Sequence, residues 1–275
     1  MKIVTDSGAD ISFEECKSLG VTMLPLKVEV NGVSYIAGVD IEPDEFYDLM
    51  DASPTMPITS TPSVGEFVEV YKSLAAEDPE ILSIHLSSGL SGTFNVAVQA
   101  AEMVPEAKIT LIDTLTLSAG TAWQVRTASA MAKAGHQMEE VVKTLRKIQD
   151  ASSTIFTLPD LKYLIAGGRI SHLRGLLASL LGIKPVIEVS KVDGKYYDKV
   201  KKRSFQKAID GITEMVIKIH PAGTELVAQI VSAANPEGTK QLIASMEKVF
   251  KCEWKPTVTL GTALGAHTGR GLVGV

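Results

Sequence analysis

The sequence predicts an α/β protein with two domains, an N-terminal α/β/α domain at residues 1–150 with a mainly parallel sheet and a C-terminal α+β domain at residues 151–275. In the first half, strand patterns alternate with helix patterns, as they do when helical crossovers join parallel strands. In the second half, hairpin patterns outnumber crossovers, which indicates a separate domain of different topology. A chain of 275 residues is long enough to build a core in each domain.

The first half contains short apolar runs that end in polar residues and glycine, a pattern typical of buried parallel strands. The predicted strands cover residues 2–5, 21–30, 33–35, 81–86 and 108–113. The predicted helices cover residues 13–19, 43–50, 94–104, 117–133 and 138–150, and a further helix ends at residue 74. Capping residues support the helix starts, because Ser12 precedes the first helix and Ser63 can form a capping box with Glu66.

The second half alternates less regularly and includes a predicted hairpin with its turn at Val192-Asp193-Gly194. The predicted strands cover residues 153–158, 184–190, 195–200 and 225–233, and the last strand region begins at residues 257–261. The predicted helices cover residues 160–166, 173–181, 205–219 and 235–250. The helix at residues 173–181 is very apolar, so it either belongs to the core or lines a ligand cavity.

The composition argues against several classes of function. No apolar run approaches the 18 residues that a membrane span needs, and the first residues lack a signal-peptide pattern, so we expect a cytoplasmic protein without stable membrane insertion. The net charge of −5 argues against a nucleic-acid partner. Cys16 and Cys252 lack metal-ligand spacing, so we expect no metal site. Because only 5% of residues are aromatic, a cavity would have aliphatic walls that suit a hydrocarbon.

A loop of hydroxyls and glycines lies between the predicted strand at residues 81–86 and the helix that follows it. The helix start presents unpaired backbone N–H groups and the positive end of the helix dipole, and Ser91 and Thr93 add hydroxyl donors. Gly89 and Gly92 allow a ligand to approach the backbone closely. The loop is therefore either an anion-binding site or only a capped helix start with a turn.

Other polar segments can contribute to the same site. Asp6 and Thr59 lie in polar loops, and ligands of parallel sheets bind beyond the carboxyl ends of the strands. The glycine-rich tail contains His267, which we place in a strand as a hydrogen-bonding partner for a ligand or as a structural residue. The cluster of Lys199, Lys201, Lys202 and Arg203 is either a solvated face or a docking surface.

Seven ordered segments cover essentially the whole chain: VTDSGADIS from Val4, Thr59-Ser60-x-Pro62-Ser63, HLSSGLSGT from His85, LIDTLTLSAG from Leu111, LKYLIAGGRIS from Leu161, the Lys184-Pro185 hairpin and AHTGRGLVGV from Ala266. Together they closely resemble the DegV family, and more narrowly the fatty-acid-binding subunits of bacterial fatty acid kinase. The resemblance implies two domains, one long-chain fatty acid in a tunnel between them, and no cofactor.

The resemblance also implies roles for individual residues. Thr59, Ser91 and His267 would hold the fatty-acid carboxylate, with Gly92 in the same turn as Ser91. Arg169 and Arg203 would face outward near the carboxylate and dock a separate ATP-dependent kinase. The far end of the acyl-chain tunnel would be shaped by Leu173, Leu177, Leu180 and Leu181.

On this basis the protein would have no catalytic residues. It would present the fatty acid to the kinase for conversion to acyl phosphate, which feeds phospholipid synthesis, and transient contact with a membrane stays open. One departure is Thr61, which stands where the family usually has glutamine and affects the hydrogen bonds near the head group. The chain also stops at Val275, where relatives continue for a few residues, so the last strand is expected to be short.

Two alternatives come from other classes of function. A serine-dependent acyl hydrolase would use Ser91 with His85 or His267 and an acid such as Asp6 or Asp113, although Ser91 lacks the Gly-x-Ser-x-Gly pattern. A lipid-sensing regulatory protein would bind the same ligand only as a signal. A nucleotide-binding enzyme is disfavoured because the sequence contains neither a Gly-x-Gly-x-x-Gly nor a P-loop motif.

Overall fold

The computed structural model describes residues 1–170 and 182–275. Its strands are β1 Lys2–Asp6, β2 Val21–Leu24, β3 Lys27–Val30, β4 Val33–Ile36, β5 Ile58–Ser60, β6 Glu80–His85, β7 Lys108–Asp113, β8 Ile155–Thr157, β9 Lys184–Val189, β10 Tyr196–Lys202, β11 Glu225–Ser232, β12 Lys251–Thr259 and β13 Val273–Gly274. Its helices are α1 Phe13–Leu19, α2 Pro43–Ala52, α3 Val64–Ala75, α4 Thr93–Glu102, α5 Ala119–Lys133, α6 Met138–Ala151, α7 Lys162–Ala166, α8 Phe205–Ile219, α9 Pro236–Glu247 and α10 Thr262–Thr268. The predicted helix at residues 173–181, with Leu173, Leu177, Leu180 and Leu181, lies outside the described residues.

The N-terminal part is built on a four-stranded parallel sheet in the order β2-β1-β6-β7. Because successive side chains point to opposite faces of a strand, its apolar strands supply two cores. Ile3 and Leu82 pack with α5 and α6 on one face, and Val4 and Ile81 pack with α3 and α4 on the other. The predicted α/β/α arrangement is therefore confirmed, and it places the polar loop after β6 at the carboxyl edge of the sheet.

The predicted strand at residues 21–30 is wrong, because two strands in different sheets occupy this segment. β2 belongs to the parallel sheet, whereas β3 is the central strand of a small antiparallel sheet in the order β4-β3-β5. Pro25 cannot donate a ladder hydrogen bond, and the Leu26 backbone N–H donates instead to Ser7 Oγ at 2.9 Å. This break allows β3 to pair with β5, which the sequence analysis missed and which carries Thr59.

The C-terminal part contains a six-stranded mixed sheet in the order β10-β9-β8-β13-β11-β12. The β11 and β12 strands pair in parallel, and the other neighbours pair in antiparallel fashion. Helices α8 and α9 pack through an apolar core that includes Ile155, Ile212 and Leu242. This separate mixed sheet with its helices confirms the α+β class that was predicted for the second half of the chain, and the domain boundary at residues 150 and 151 stays a prediction.

The tail differs from its predicted strand. Residues Thr262–Thr268 form helix α10, which begins after Gly261, and His267 lies in its last turn. The glycines of the tail suggested extended backbone close to a ligand, but small residues also let a short helix pack tightly, and Gly265 contacts the Tyr47 ring so closely that a Cβ would lie 2.6 Å from its hydroxyl oxygen. Strand β12 also begins at Lys251, six residues before the predicted start.

A fourth apolar core joins these parts. It contains residues of β3 and α2 such as Val28 and Phe46, together with Leu158, Tyr196 and Leu264 from the C-terminal segments. The small antiparallel sheet and α10 therefore lie between the two larger sheets. None of the helices in residues 1–170 and 182–275 is both long and apolar enough to cross a lipid bilayer.

Candidate functional site

Three polar residues that are far apart in the sequence line one small cavity between the sheets. Thr59 comes from β5, Ser91 from the loop after β6, and His267 from α10. The cavity has a volume of about 40 Å³, and its other lining residues are Leu26, Ser60, Thr61, Leu86, Leu90, Leu117, Arg169, Tyr196, Ala263 and Leu264. The cavity thus has a polar end that is surrounded by aliphatic side chains.

Thr59 and His267 are hydrogen-bonded to each other across this cavity. The distance between Thr59 Oγ1 and His267 Nε2 is 2.8 Å, and the tautomer of the ring decides which atom donates. The Nδ1 atom is buried and has no hydrogen-bond partner among the described residues. Burial, aided by the nearby Arg169 charge, lowers the pKa of His267 to about 4, so the imidazole is neutral at physiological pH.

Ser91 lies in a compact turn that ends at the start of α4. Its backbone N–H donates to the Ser87 carbonyl at 3.0 Å, and its Oγ lies 2.9 Å from Thr93 Oγ1. The N-cap position is Gly92, which has no side chain to cap the helix, but Ser91 Oγ accepts a hydrogen bond from the Thr93 N–H at 3.3 Å and so satisfies one N–H group of the helix start. Hydrogen bonding within the turn leaves the Ser91 hydroxyl in the cavity wall.

Gly92 lies beside Ser91 but does not line this cavity. A Cβ at Gly92 would have Thr61 Cγ2 as its nearest neighbour, at 3.9 Å, which is an ordinary contact distance. Gly167 is more restricted, since a Cβ there would lie 2.2 Å from His267 Nδ1. The role of Gly92 in ligand binding stays a prediction, while Gly167 is a constraint on the histidine that the sequence analysis missed.

Arg169 was expected to face outward, but it lies half-buried in the cavity wall. Its Nε donates to the Leu90 carbonyl at 3.2 Å and its Nη1 donates to the Gly167 carbonyl at 2.5 Å. These bonds connect the segment after α7 to the loop that carries Ser91. Arg203 is exposed directly after β10. Docking of a kinase by Arg169 and Arg203 stays a prediction.

The basic cluster around Arg203 is largely neutralised by acidic partners. The lysines form ion pairs at 3.0, 3.3 and 2.7 Å in the pairs Lys199–Glu188, Lys201–Asp198 and Lys202–Glu214. Each pair is partly exposed, so it contributes little to stability. Such pairing is typical of a solvated face.

A larger cavity of about 310 Å³ lies next to the small one. Leu117 and Tyr196 line both cavities and therefore stand between them. Most other walls of the larger cavity are apolar, and they include Phe156, Val216, Val231, Leu260 and Leu272. The two cavities together form a polar end and an apolar extension.

His85 belongs to a hydrogen-bonded chain in the core of the parallel sheet. Its Nδ1 lies 2.8 Å from Asp6 Oδ2, its Nε2 lies 2.7 Å from Ser83 Oγ, and Ser83 Oγ lies 2.8 Å from the Tyr71 hydroxyl. All four side chains are fully buried. The order Asp6, His85, Ser83 resembles that of a catalytic triad, but these side chains are fully buried, so no substrate reaches them. Both ring nitrogens of His85 are used in these hydrogen bonds, so His85 does not act on Ser91.

The remaining hydrolase arrangement is also disfavoured. A triad needs a group that orients the histidine, and no described residue hydrogen-bonds to His267 Nδ1. Asp113, the other candidate acid, accepts hydrogen bonds from the backbone N–H groups of Ser88 and Leu115. The geometry therefore supports binding at Ser91 better than nucleophilic attack by it.

The sequence analysis gave Asp10 no role, although it connects the two halves of the protein. Its Oδ1 accepts a hydrogen bond from the Gly261 N–H at 3.0 Å, and its Oδ2 accepts one from the Ser118 hydroxyl. Burial raises the pKa of Asp10 to about 7. Because Gly261 immediately precedes α10, Asp10 helps to fix the helix that carries His267.

Comparisons with known proteins identify the family and the fold. The chain is 35% identical over 272 residues to a DegV domain-containing protein of Listeria innocua, which covers 98% of this chain and 96% of that protein. The fold of this chain matches that of a fatty-acid-binding DegV family protein from Thermus thermophilus, with a TM-score of 0.89 and 28% identity. The match covers 99% of this chain and 97% of that protein.

The fold also matches the Streptococcus pneumoniae fatty acid kinase (Fak) B3 protein loaded with linoleic acid, with a TM-score of 0.81, 22% identity and coverage of 99% and 98%. At this level of identity, the match establishes a common fold. A family model described as "Uncharacterised protein, DegV family" matches residues 1–275 in full. With its two larger sheets, its cavity between them and this match along its whole length, the chain belongs to the DegV family.

Proposed function

We propose that this protein binds one long-chain fatty acid and presents its carboxylate to a separate ATP-dependent kinase, without catalysing a reaction itself. The observation that carries the proposal is the convergence of Thr59, Ser91 and His267 on a small polar cavity that adjoins a larger apolar one. A molecule with one carboxylate and a long hydrocarbon chain matches both parts. Family members of known structure bind such molecules, including the Thermus thermophilus protein.

The polar cavity suits a carboxylate head group. Thr59 and Ser91 provide hydroxyl donors, and His267 provides a ring N–H in its neutral form. Hydrogen bonds to a charged acceptor contribute more than neutral ones, about 1.5 to 3 kcal/mol each. Gly92 belongs to the proposed head-group site as part of the Ser91 turn.

The apolar cavity suits the hydrocarbon chain. Burial of methylene groups contributes about 0.8 kcal/mol each, so a chain of roughly sixteen to eighteen carbons gains on the order of 10 kcal/mol before ordering costs. The tail therefore provides most of the affinity, and the polar residues fix the direction of the ligand. Leu173, Leu177, Leu180 and Leu181 are proposed to line the far end of the acyl tunnel.

The kinase step would occur on the exposed oxygen of the bound carboxylate. That oxygen attacks the γ-phosphorus of ATP, a new P–O bond forms, the bond to the β–γ bridging oxygen breaks, and ADP leaves with its electron pair. The product is an acyl phosphate that feeds phospholipid synthesis. We place the protein in the cytoplasm, where ATP is available, and assign kinase docking to Arg169 and Arg203.

Native mass spectrometry of the purified protein, followed by extraction of whatever is released, tests the binding proposal. One fatty acid per chain is expected, and its occupancy should fall in a Thr59→Val, Ser91→Ala, His267→Asn triple variant. A matched control is Ser88→Ala, because Ser88 is exposed in the same loop and does not line the cavity. A protein that is empty and takes up neither palmitate nor oleate would overturn the proposal.

A second experiment tests presentation to the kinase. The palmitate-loaded protein is incubated with ATP and a bacterial fatty acid kinase, and acyl phosphate is trapped with hydroxylamine as the hydroxamate. Arg203→Glu should retain palmitate and lose product, whereas Arg169→Glu should also weaken palmitate binding, because Arg169 lines the head-group cavity. If the wild-type protein binds palmitate but yields no product, presentation is wrong and a lipid-sensing regulatory role is favoured.

A further inference from the structure

A second polar cavity lies directly beside the head-group cavity. It has a volume of about 130 Å³ and is lined by Gly89, Leu90, Gly167, Gly168, Arg169, Lys195 and Tyr196. Leu90, Arg169 and Tyr196 line both cavities, so the two spaces adjoin at these residues. We call it the lateral pocket.

The lateral pocket has a cationic wall. Arg169 contributes a half-buried guanidinium, whose described hydrogen bonds go to the uncharged carbonyls of Leu90 and Gly167. Lys195 follows the turn of the β9–β10 hairpin and forms no ion pair with a described carboxylate, unlike Lys199, Lys201 and Lys202 on the same hairpin. Two cationic residues therefore line the pocket, and neither forms an ion pair with a described carboxylate.

Asp193 lies close enough to Lys195 for the lysine charge to help lower the pKa of its carboxyl, but the two side chains form no ion pair in the described residues. Asp193 accepts hydrogen bonds from the Tyr197 hydroxyl at 2.8 Å and from the Lys195 backbone N–H at 3.3 Å. Asp193 is not among the residues that line the pocket.

Gly89 has a steric role in the pocket, because a Cβ at this position would lie 2.3 Å from the Asp193 carbonyl oxygen and 2.8 Å from Lys195 Cγ. A larger residue would push the hairpin and Lys195 away from the pocket.

The proposed reaction requires space that the head-group cavity does not have. Its volume of about 40 Å³ is about a third of the roughly 130 Å³ of the lateral pocket. Phosphorylation adds a tetrahedral group that is joined to the former carboxylate by one oxygen and carries extra negative charge. The new group must therefore occupy an adjoining space, and the apolar cavity on the other side is filled by the hydrocarbon chain.

We infer that the lateral pocket receives the phosphoryl group of the acyl phosphate, with Arg169 and Lys195 as its cationic contacts. This inference rests on the proposed function and assigns a second ligand state to the same site. Arg169 lines both cavities, so it contacts the carboxylate end before the transfer and the phosphoryl group after it. Lys195 lines only the lateral pocket and therefore distinguishes product from substrate.

Direct binding measurements test this assignment without the kinase. The probes are palmitate and 2-oxoheptadecylphosphonate, a hydrolysis-resistant analogue in which a methylene replaces the bridging oxygen of palmitoyl phosphate. Wild-type protein should bind the phosphonate at least as tightly as palmitate. Lys195→Met should weaken phosphonate binding by tenfold or more and leave palmitate binding within threefold, whereas Lys195→Arg should restore most of the phosphonate affinity.

Lys201→Met is the matched control, because Lys201 is an exposed lysine of the same hairpin that lines neither cavity. It should leave the affinities for both probes unchanged. Retained palmitate binding shows that each variant is folded. The ³¹P resonance of the bound phosphonate should shift between wild type and Lys195→Met, which gives a second readout.

The outcomes separate the two proposals. If wild-type protein binds neither probe, the fatty-acid site itself is wrong. If it binds palmitate but rejects the phosphonate, or if Lys195→Met weakens both probes equally, the head-group proposal stands and the lateral pocket is not a phosphoryl site. Inorganic phosphate at millimolar concentration, added to the palmitate-loaded protein, should not displace palmitate. Displacement would indicate a free-phosphate site and overturn the assignment.

Discussion

His267 is the residue whose chemistry depends most on whether a ligand is bound. Without a ligand, burial and the Arg169 charge lower the pKa of His267 to about 4, because no described anion stabilises the imidazolium. A fatty-acid carboxylate next to the ring would supply that anion. The neutral ring can then gain a proton as the head group binds.

We therefore predict that palmitate raises the pKa of His267. The change is measured from the pH dependence of the histidine Cε1–H resonance with and without palmitate, assigned with a His267→Asn variant. Bound palmitate should move the midpoint upward by about one unit or more, since opposite charges within about 4–6 Å shift a pKa by 1–3 units. His136 is an internal control because it is exposed and lies outside the cavity. An unchanged His267 midpoint would place the carboxylate elsewhere.

The two hydroxyl groups should each make a measurable contribution to head-group binding. Thr59→Val and Ser91→Ala each remove one donor and should weaken palmitate binding by roughly 1 to 3 kcal/mol, which is about 5- to 150-fold in Kd. Ser88→Ala should leave the Kd unchanged. Isothermal titration or displacement of a fluorescent fatty acid gives these values. Equal affinities for Ser91→Ala and Ser88→Ala would remove Ser91 from the site.

At this level the sequence is informative where polar residues and glycines cluster. Ser91 lies in such a cluster and His267 lies between Gly265 and Gly269, and both line the cavity. Ser83 and Asp10 gave no such pattern, because a single serine in a strand and a single aspartate in a loop are common. Their roles depend on contacts over long sequence separations, such as Asp10 with Gly261.

The elements that carry the site were harder to predict than the residues. Thr59 is presented by β5, a strand of three residues that is too short to show periodicity. His267 is presented by α10, a helix of only seven residues that is flanked by Gly261 and Gly269 and was predicted as a strand. The long helices and the parallel strands were predicted well, because their apolar patterns extend over several turns or positions.

The packing of α10 against the segment after α7 gives a prediction at this level. A Cβ at Gly167 would lie 2.2 Å from His267 Nδ1, so Gly167→Ala must displace the imidazole or the backbone around it. We expect palmitate affinity to fall by at least tenfold, with the overall fold retained as judged by circular dichroism. The hydrogen bond between Thr59 and His267 should be lost in a crystal structure of the variant.

Gly65→Ala is the control for this substitution. Gly65 lies in α3, and the nearest atom to an added Cβ is Ser63 Oγ at 3.9 Å, so the methyl group fits. Alanine should stabilise the helix by about 0.5 to 1 kcal/mol and leave palmitate binding unchanged. If Gly167→Ala also binds palmitate normally, the position of His267 does not limit binding.

For the whole molecule, the cavity exists only because several parts of the chain pack together. The core that joins them contains Val28 from the small antiparallel sheet, Phe46 from α2, Tyr196 from the mixed sheet and Leu264 from α10. The sequence predicts the separate sheets from local patterns. It does not predict this joint core, because the residues that form it come from segments with no shared local pattern.

Asp10 links this assembly to pH, because it bridges the N-terminal loop and the residue before α10. Its pKa of about 7 is above the ordinary value of 3.8, so the folded state binds its proton more tightly than the unfolded state does. The stability that this proton provides is complete below about pH 4 and is lost as the pH rises through about 7. Asp10 is partly exposed, so water offsets part of the effect.

Asp10→Asn should remove this dependence. The amide keeps an oxygen for the Gly261 N–H and offers an N–H to the Ser118 hydroxyl, so it mimics the protonated acid without its titration. At pH 8 we expect the variant to be more stable than wild type by about 1 to 2 kcal/mol, and the difference should shrink as the pH falls toward 4. Urea unfolding at several pH values measures it. A stability difference that is constant with pH would show that Asp10 is ionised throughout and holds α10 as a carboxylate.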